Sequence, residues 1–229
     1  LLITDKDELH HLRDVLRLKK NTPVCLFDGK GKEASGKLLS VTSQKAEIAV
    51  LSVKESKQKK PLLILACALP KRSKFELIIE KATELGVDEI IPLKTQRTEI
   101  DLKGNRLDKK LLRYQTIAIN AAKQSQRRFV PVIHPITGFR SAVDHLTKTT
   151  TAIIPSLTGK RENILNIFKT LKAPKAVSFL IGPEGDFTPE EYTYAQKSGC
   201  LAVTLGETIL KVETAAISTL AAANLFFRT

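Results

Sequence analysis

The sequence predicts an α/β protein made of a small β-rich N-terminal domain and a larger domain built on a mostly parallel sheet. Three observations predict it. Short, uncharged, largely apolar runs at 62–69, 177–181 and 201–205 suit strands buried on both faces. Two of these runs stop at glycine loops, Gly182-Pro183-Glu184-Gly185 and Gly206, and helical patterns follow. Open α/β sheets form ligand crevices at strand C-termini in this way. Finally, several short strands crowd into the first 60 residues, which predicts a small barrel there.

In chain order, Asp7 to Lys19 reads as a helix with Leu9, Leu12, Val15 and Leu16 on one side and Arg13 and Arg17 elsewhere. Pro23 to Phe27, Gly36 to Val41 and Ala46 to Val53 read as strands. The run Lys54 to Lys60 has no apolar residue and precedes Pro61, so it reads as a linker dividing the chain into 1–60 and 61–229. Leu62 to Leu69 is a strand, and Ser73-x-x-Glu76 a capping box. The helix it opens carries Phe75, Ile78, Ile79, Ala82 and Leu85 on one face and ends at Gly86. Glu89 to Leu93 is the next strand, which makes a β-α-β unit. Beyond the polar loop from Thr95 to Asp101 lies a long helix, Leu107 to Ser125, with Leu107, Leu111, Ala118, Ala121 and Ala122 inward. Phe129 to Ile133 and Ala152 to Ile154 are strands, and Glu162 to Leu171 a helix. Thr188, Pro189 and Glu191 form the start signal of another helix, which Gly199 ends. Thr214 to Phe227 is an Ala-rich helix, apolar over more than one stripe. Such a helix buries more than one face.

Composition narrows the partners. Hydrophobic content of 42% and charged content of 27% are those of a soluble globular protein. No apolar run approaches the roughly 20 residues of a membrane span. Cys25, Cys67 and Cys200 lie far apart with no C-x-x-C, so neither a disulfide framework nor a zinc site is expected, and a reducing cytoplasm is. His10 and His11 are read as surface or packing residues, with no metal. The net charge of +13 is uneven: +5 over residues 1–60, +7 over 61–140 and +1 over 141–229. A polyanion meeting the first 140 residues follows from this partition. Neither G-x-G-x-x-G nor G-x-x-x-x-G-K-[ST] occurs, which removes the Rossmann and Walker phosphate sites.

The motif L-I-G-P-E-G, followed by L-G-x-x-I-L-K-x-E-T-A, resembles the SPOUT methyltransferases. Within them it is similar to the small-subunit ribosomal RNA uridine-N3 methyltransferase family, the RsmE type. His11 and Arg17 match the family's H-x-x-x-V-L-R start. The segment Ala121 to Arg128 is similar to its A-x-E-Q-x-x-R, with Lys123 replacing the glutamate. Arg97 matches its E-R loop, with Gln96 in place of the glutamate. Asp186 stands where the family has a second glycine, and Thr208 and Lys211 stand where it has arginines.

The resemblance implies an N-terminal PUA-like barrel, a SPOUT-type α/β domain with a C-terminal trefoil knot, and a homodimer with the active site near its interface. It implies S-adenosylmethionine as cofactor, held by Ile181, Gly182, Glu184, Gly185, Leu205, Gly206, Ile209, Leu210, Thr214 and Ala215. Methylating uracil N3 needs a base, a cation to stabilise the N3 anion and in-line placement. Arg97, Arg128 and Lys211 are the candidate cations. Glu213 is the candidate base or orienter, and as a plain alternative it caps the Ala-rich helix. Arg13, Arg17, Gln124 and Arg127 are the candidate RNA contacts. Two other readings stand beside this one: methylation of a ribose 2′-hydroxyl, and a non-catalytic RNA-binding module.

Overall fold

A computed structural model describes residues 1–71, 74–99, 105–157 and 159–228. The chain divides into two compact units, Leu1–Gln58 and Lys59–Thr229. Strands of the first unit are β1 (Leu2–Ile3), β2 (Pro23–Phe27), β3 (Lys32–Val41) and β4 (Ala46–Glu55). They pair antiparallel in the order β1-β4-β3-β2. No pairing joins β1 to β2 among the described residues, so an open sheet stands where a barrel was expected. Two register shifts, at Ser35/Gly36 and at Leu38/Ser40, bend it, because a bulge leaves an unpaired residue on one strand. β4 runs on to Glu55 and takes up the start of the expected linker.

The expected helix from Asp7 to Lys19 is shorter and divided. Asp5 caps α1 (Lys6–His10) by accepting from the Asp7 and Glu8 amides, and a π-helical turn follows over His11–Val15. Arg17 then takes a left-handed backbone with φ of 50°, which ends the run. Leu9 and Leu12 enter the core with Leu38, Ala46 and Ile48. Val15 and Leu16 stay exposed, because the π turn rotates them off the face that a continuous α-helix would share.

Elements of the second unit are β5 (Leu62–Ala68), α2 (Lys74–Glu84), β6 (Glu89–Lys94), α3 (Asn105–Gln124), β7 (Val132–Ile133), β8 (Thr137–Gly138), α4 (Phe139–Thr149), β9 (Thr151–Pro155), β10 (Glu162–Asn163), α5 (Ile164–Thr170), β11 (Ala176–Ile181), α6 (Pro189–Lys197), β12 (Leu201–Thr204) and α7 (Val212–Arg228). The strands form a sheet in the order β10-β12-β9-β11-β5-β6-β7, with β8 also beside β6. Every pairing in it is parallel. All strand C-termini therefore meet at one edge. One face packs on α2, α3, α5 and α7 through Phe75, Ile79, Ala118, Phe168 and Leu220. The other packs on α4 and α6 through Phe139, Val143, Leu146 and Ala195.

Most inward residues fall where their periods place them. Phe75, Ile78, Ile79 and Ala82 of α2 are buried, as are Ala118, Ala121 and Ala122 of α3. Tyr114 is buried as well, its ring 5.0 Å from Phe75. The capping box at Thr188 and Glu191 is present, with Pro189 opening α6. The expected box at Ser73 lies outside the described residues. Helix α4 was not expected, although Phe139, Ala142, Val143 and Leu146 have helical spacing. Its N-cap is Gly138, which supplies no capping side chain, so no start signal precedes it. The segment expected as a strand from Phe129 is a strand only at Val132–Ile133, with an isolated bridge at Phe129.

At the edge opposite the strand C-termini, Asp88 is buried just before β6. It accepts from the Leu63 amide at 2.8 Å, from Arg228 Nη2, and from Arg127 Nη2 at 3.3 Å. Arg228 also donates to the Pro61 and Gly86 carbonyls, and Arg127 to the Thr83 and Val87 carbonyls. Arg127, expected from the sequence to contact RNA, is thus tied into the base of the sheet. Burial pushes its guanidinium down to about 10, against the pull of Asp88. Removing one member of such a cluster leaves buried charges uncompensated, which costs about 3–5 kcal/mol. Asp88→Ala should lose stability of that size, read as a lower denaturation midpoint at an unchanged denaturant slope.

Candidate functional site

Four loops converge at the C-terminal edge of the sheet. The loop after β5 brings Lys71 and then Lys74 at the start of α2. The loop after β6 brings Arg97 and Glu99. The loop after β11 is Gly182 to Phe187, and the segment after β12 runs from Leu205 to Lys211 into α7. The Lys71 amide donates to Glu184 Oε1 at 3.0 Å, and Lys71 Nζ pairs with Glu99 at 2.8 Å. Arg97 Nη1 donates to the Gly185 carbonyl. The Gln96 amide donates to Glu191 Oε1 at 2.9 Å, while Oε2 of the same carboxylate accepts from the Thr188 amide. One glutamate thus serves both the α6 cap and the loop after β6.

The two glycine loops work differently. Gly182 and Gly185 have no left-handed backbone; the residue that has is Asp186, with φ of 63°. Aspartate tolerates this region because its side chain bonds locally. Asp186 Oδ1 accepts from the Phe187 amide at 2.8 Å and from the Tyr192 hydroxyl at 2.7 Å. Burial and this aspartate together raise the Tyr192 phenol well above its usual range. A Cβ at Gly182 would sit 3.1 Å from Asp186 Oδ1 and 3.2 Å from the Phe187 amide nitrogen, so Gly182 is there for close approach. Gly206 is different, with φ of 135° and nothing within 4 Å of a built Cβ. Thr204 Oγ1 ties that turn by bonding both the amide and the carbonyl of Gly206.

Of the residues expected to act together, Arg97, Lys211 and Glu213 are carried by this edge, along with Ile181, Gly182, Glu184, Gly185, Leu205, Gly206, Ile209, Leu210, Thr214 and Ala215. Ile209 is 80% exposed, a large apolar side chain left uncovered at the crevice. Glu213 is 17% exposed, and its Oε1 lies 3.8 Å from Lys74 Nζ. Its Oε2 is buried with no hydrogen-bond partner. Lys74 Nζ also lies 3.7 Å from Glu184 Oε1. Below them Cys67 is fully buried, its thiol raised first by burial and then by the charges of Glu184 and Glu213.

Arg128 and Gln124 are not brought to this edge. Both are exposed and follow or end α3, beside Arg127 at the start of β6. Arg97 follows the end of that strand, and six residues of strand span about 20 Å. Arg13 lies in the first unit, its guanidinium bonded to the Asp14 carboxylate at 2.7 Å, which lowers the Asp14 carboxyl. Arg17 is exposed in the same segment. Sequence reasoning missed Lys71, Lys74 and Glu99. Lys74 opens a helix next to a strand-end loop, and that placement was the available signal. Among the described residues, no group of acids, histidines and cysteines could hold a metal, and no helix is long and apolar enough to cross a membrane.

The family model for an RNA methyltransferase domain matches residues 57–224, and that for an RNA methyltransferase PUA domain matches residues 3–51. The ribosomal RNA small subunit methyltransferase E of Mesomycoplasma hyopneumoniae is 34% identical over 209 residues, covering 91% of this chain and 87% of that protein. The chain belongs to the ribosomal RNA small subunit methyltransferase E family. A member of this family from Bacillus subtilis is 29% identical over 221 residues, 94% of this chain and 86% of its own. The Neisseria gonorrhoeae member, solved bound to S-adenosyl methionine, is 31% identical with a TM-score of 0.87. That match covers 99% of this chain and 92% of the Neisseria one. Membership makes the chain an RNA methyltransferase with a PUA-like N-terminal unit.

The loop geometry separates three alanine substitutions. Gly182→Ala must displace backbone and the Asp186 carboxylate. Gly206→Ala incurs backbone strain of about 1–3 kcal/mol. Gly185→Ala meets only the aliphatic part of Arg97, at 3.3 Å. Thermal unfolding should therefore show lower midpoints for the first two, and a midpoint close to the parent's for the third.

Proposed function

We propose that this methyltransferase transfers a methyl group from S-adenosylmethionine to N3 of a uridine in small-subunit (16S) ribosomal RNA. The observation that carries the reading is the convergence of two glycine loops, Arg97 and the buried, unpartnered Glu213 Oε2 on one sheet edge, in a chain of this family. The crevice fits the cofactor. Gly206 opens onto free space, Ile209 offers an apolar surface, and Glu213 offers an unused acceptor. The backbone and side chains from Ile181 to Gly185, at Leu205 and Gly206, and from Ile209 to Ala215 would hold it.

S-adenosylmethionine, when bound, supplies an electrophilic methyl group on a sulfonium. The residues of this chain do the rest. Uracil N3 is a poor nucleophile until its proton leaves, and Glu213 would accept or orient that proton. Arg97 and Lys211 would stabilise the N3 anion. Arg128, about 20 Å away along β6, reaches this chemistry only from a second copy of the chain. That requirement agrees with a homodimer. On α7, Leu225 is 64% and Phe226 42% exposed, apolar area that a dimer of about 1,600 Å² would cover. The resemblance to SPOUT enzymes supports a trefoil-knotted C-terminal region, and the widely spaced cysteines support a cytoplasmic setting.

Arg13, Arg17, Gln124 and Arg128 are the proposed RNA contacts, and Arg127 is withdrawn from that set by its burial. Mass-spectrometric mapping of ribosomal RNA from a deletion strain, with and without this chain, tests the reaction. N3-methyluridine should appear only with the chain; a 2′-O-methyl nucleoside, or no change, would overturn the assignment. Arg97→Ala should lower kcat/KM about a hundredfold while cofactor binding by calorimetry persists. In sedimentation, a monomer at micromolar concentration would contradict the dimer. Replacing Arg13, Arg17 and Arg128 with alanine should flatten the salt dependence of RNA binding by roughly 0.7–0.9 in log–log slope per lost phosphate contact. An unchanged slope would place the RNA elsewhere.

A further inference from the structure

Lys74, Glu184 and Glu213 form a cluster at the crevice with two carboxylates and one ammonium. The cation is shared, at 3.7 Å from Glu184 Oε1 and 3.8 Å from Glu213 Oε1. Both separations are longer than a hydrogen bond. Glu184 has a second donor in the Lys71 amide. Glu213 Oε2 is buried without any partner. Among the described residues, the cluster therefore carries about one negative charge in excess, shared over carboxylates of which one oxygen, Glu213 Oε2, has no donor.

Among the described residues, the neighbouring cations do not cancel it. Lys71 Nζ is occupied by Glu99. Arg97 lies on the Gly185 carbonyl and close enough to Glu190 to lower that carboxyl, whose main cause is its own backbone hydrogen bond. Lys211 is exposed, where water and salt screen it. Cys67, directly below, is held neutral.

We infer that Glu213, positioned by Lys74, is a specificity-determining residue that favours the sulfonium form of the cofactor over its neutral thioether product. The inference rests on the proposed use of S-adenosylmethionine at this crevice. The two molecules differ by one methyl group and one positive charge. A partly buried negative charge acts on that difference, whereas shape alone discriminates weakly between them.

Calorimetric titration of the full-length protein with S-adenosylmethionine and, separately, S-adenosylhomocysteine tests this. Glu213→Gln keeps the shape and removes the charge, and should lower the ratio of the two affinities about tenfold, mainly by weakening the sulfonium ligand. Lys74→Met removes the counter-charge and should move the ratio the opposite way. A residue with only a structural role would change both affinities together and leave the ratio fixed in both variants. Circular dichroism and melting of each variant check that it remains folded. If the parent protein binds neither ligand, the proposed cofactor is wrong. If the parent binds both and the ratio stays within twofold of its value in both variants, the charge inference alone is overturned.

Discussion

The buried carboxylate of Asp88 fixes the base of the sheet. It joins the start of β5 through the Leu63 amide, the exit of α3 through Arg127 and the end of α7 through Arg228. Burying a carboxylate between two guanidiniums carries a large desolvation cost, which only a fully satisfied geometry offsets. That geometry is available because Arg127 and Arg228 also place N–H groups on nearby backbone carbonyls. Three of the four elements held there send their other ends to the crevice. β5 leads to Lys71 and Lys74, α7 begins beside Glu213, and β6, which Asp88 precedes, leads to Arg97. A polar knot at one edge thus sets the spacing of charged loops at the other.

Much of the larger unit was legible from local rules. Buried parallel strands are apolar throughout, so β5, β11 and β12 stand out as uncharged runs, and the T-x-x-E box with Pro189 marks the start of α6. The convergence of two glycine loops followed from strands that end in glycine. What escaped was non-local. Nothing near Arg127 in sequence announces that Asp88, 39 residues earlier, will bury it. A basic pair such as Arg127-Arg128 reads as one solvated feature, yet one side chain turns inward and the other outward. Helix α4 escaped for the opposite reason: its apolar spacing is regular, but Gly138 gives no cap to mark where it begins. In the first unit, hydrophobic spacing could not register the change from α to π winding at His11.

Asp186 illustrates how a departure from a family pattern is absorbed. The position needs a left-handed backbone, for which glycine is the least strained choice. Aspartate occupies it because its carboxylate bonds the following amide and the Tyr192 hydroxyl. Tyr192 sits on the second turn of α6, so the loop after β11 is pinned to the helix that follows it. What glycine would supply as freedom, this chain supplies as hydrogen bonds, and the loop becomes stiffer. Glu191 adds to this by tying the loop after β6 to the same helix start.

The pairing of Arg228 with Asp88 spans 140 residues. During synthesis at roughly 5–20 residues per second, Asp88 emerges on the order of ten seconds before its partner exists. Through that interval the Leu63 amide and then Arg127 can reach the carboxylate, but the Pro61 and Gly86 carbonyls lack their Arg228 donor and the base of the sheet stays unsealed. The β5–α2–β6 unit can collapse early on its apolar faces, but it is sealed only when the last turn of α7 arrives. Completion of this domain is therefore a late event in the life of the nascent chain, set by sequence separation and not by the strength of any local helix or strand.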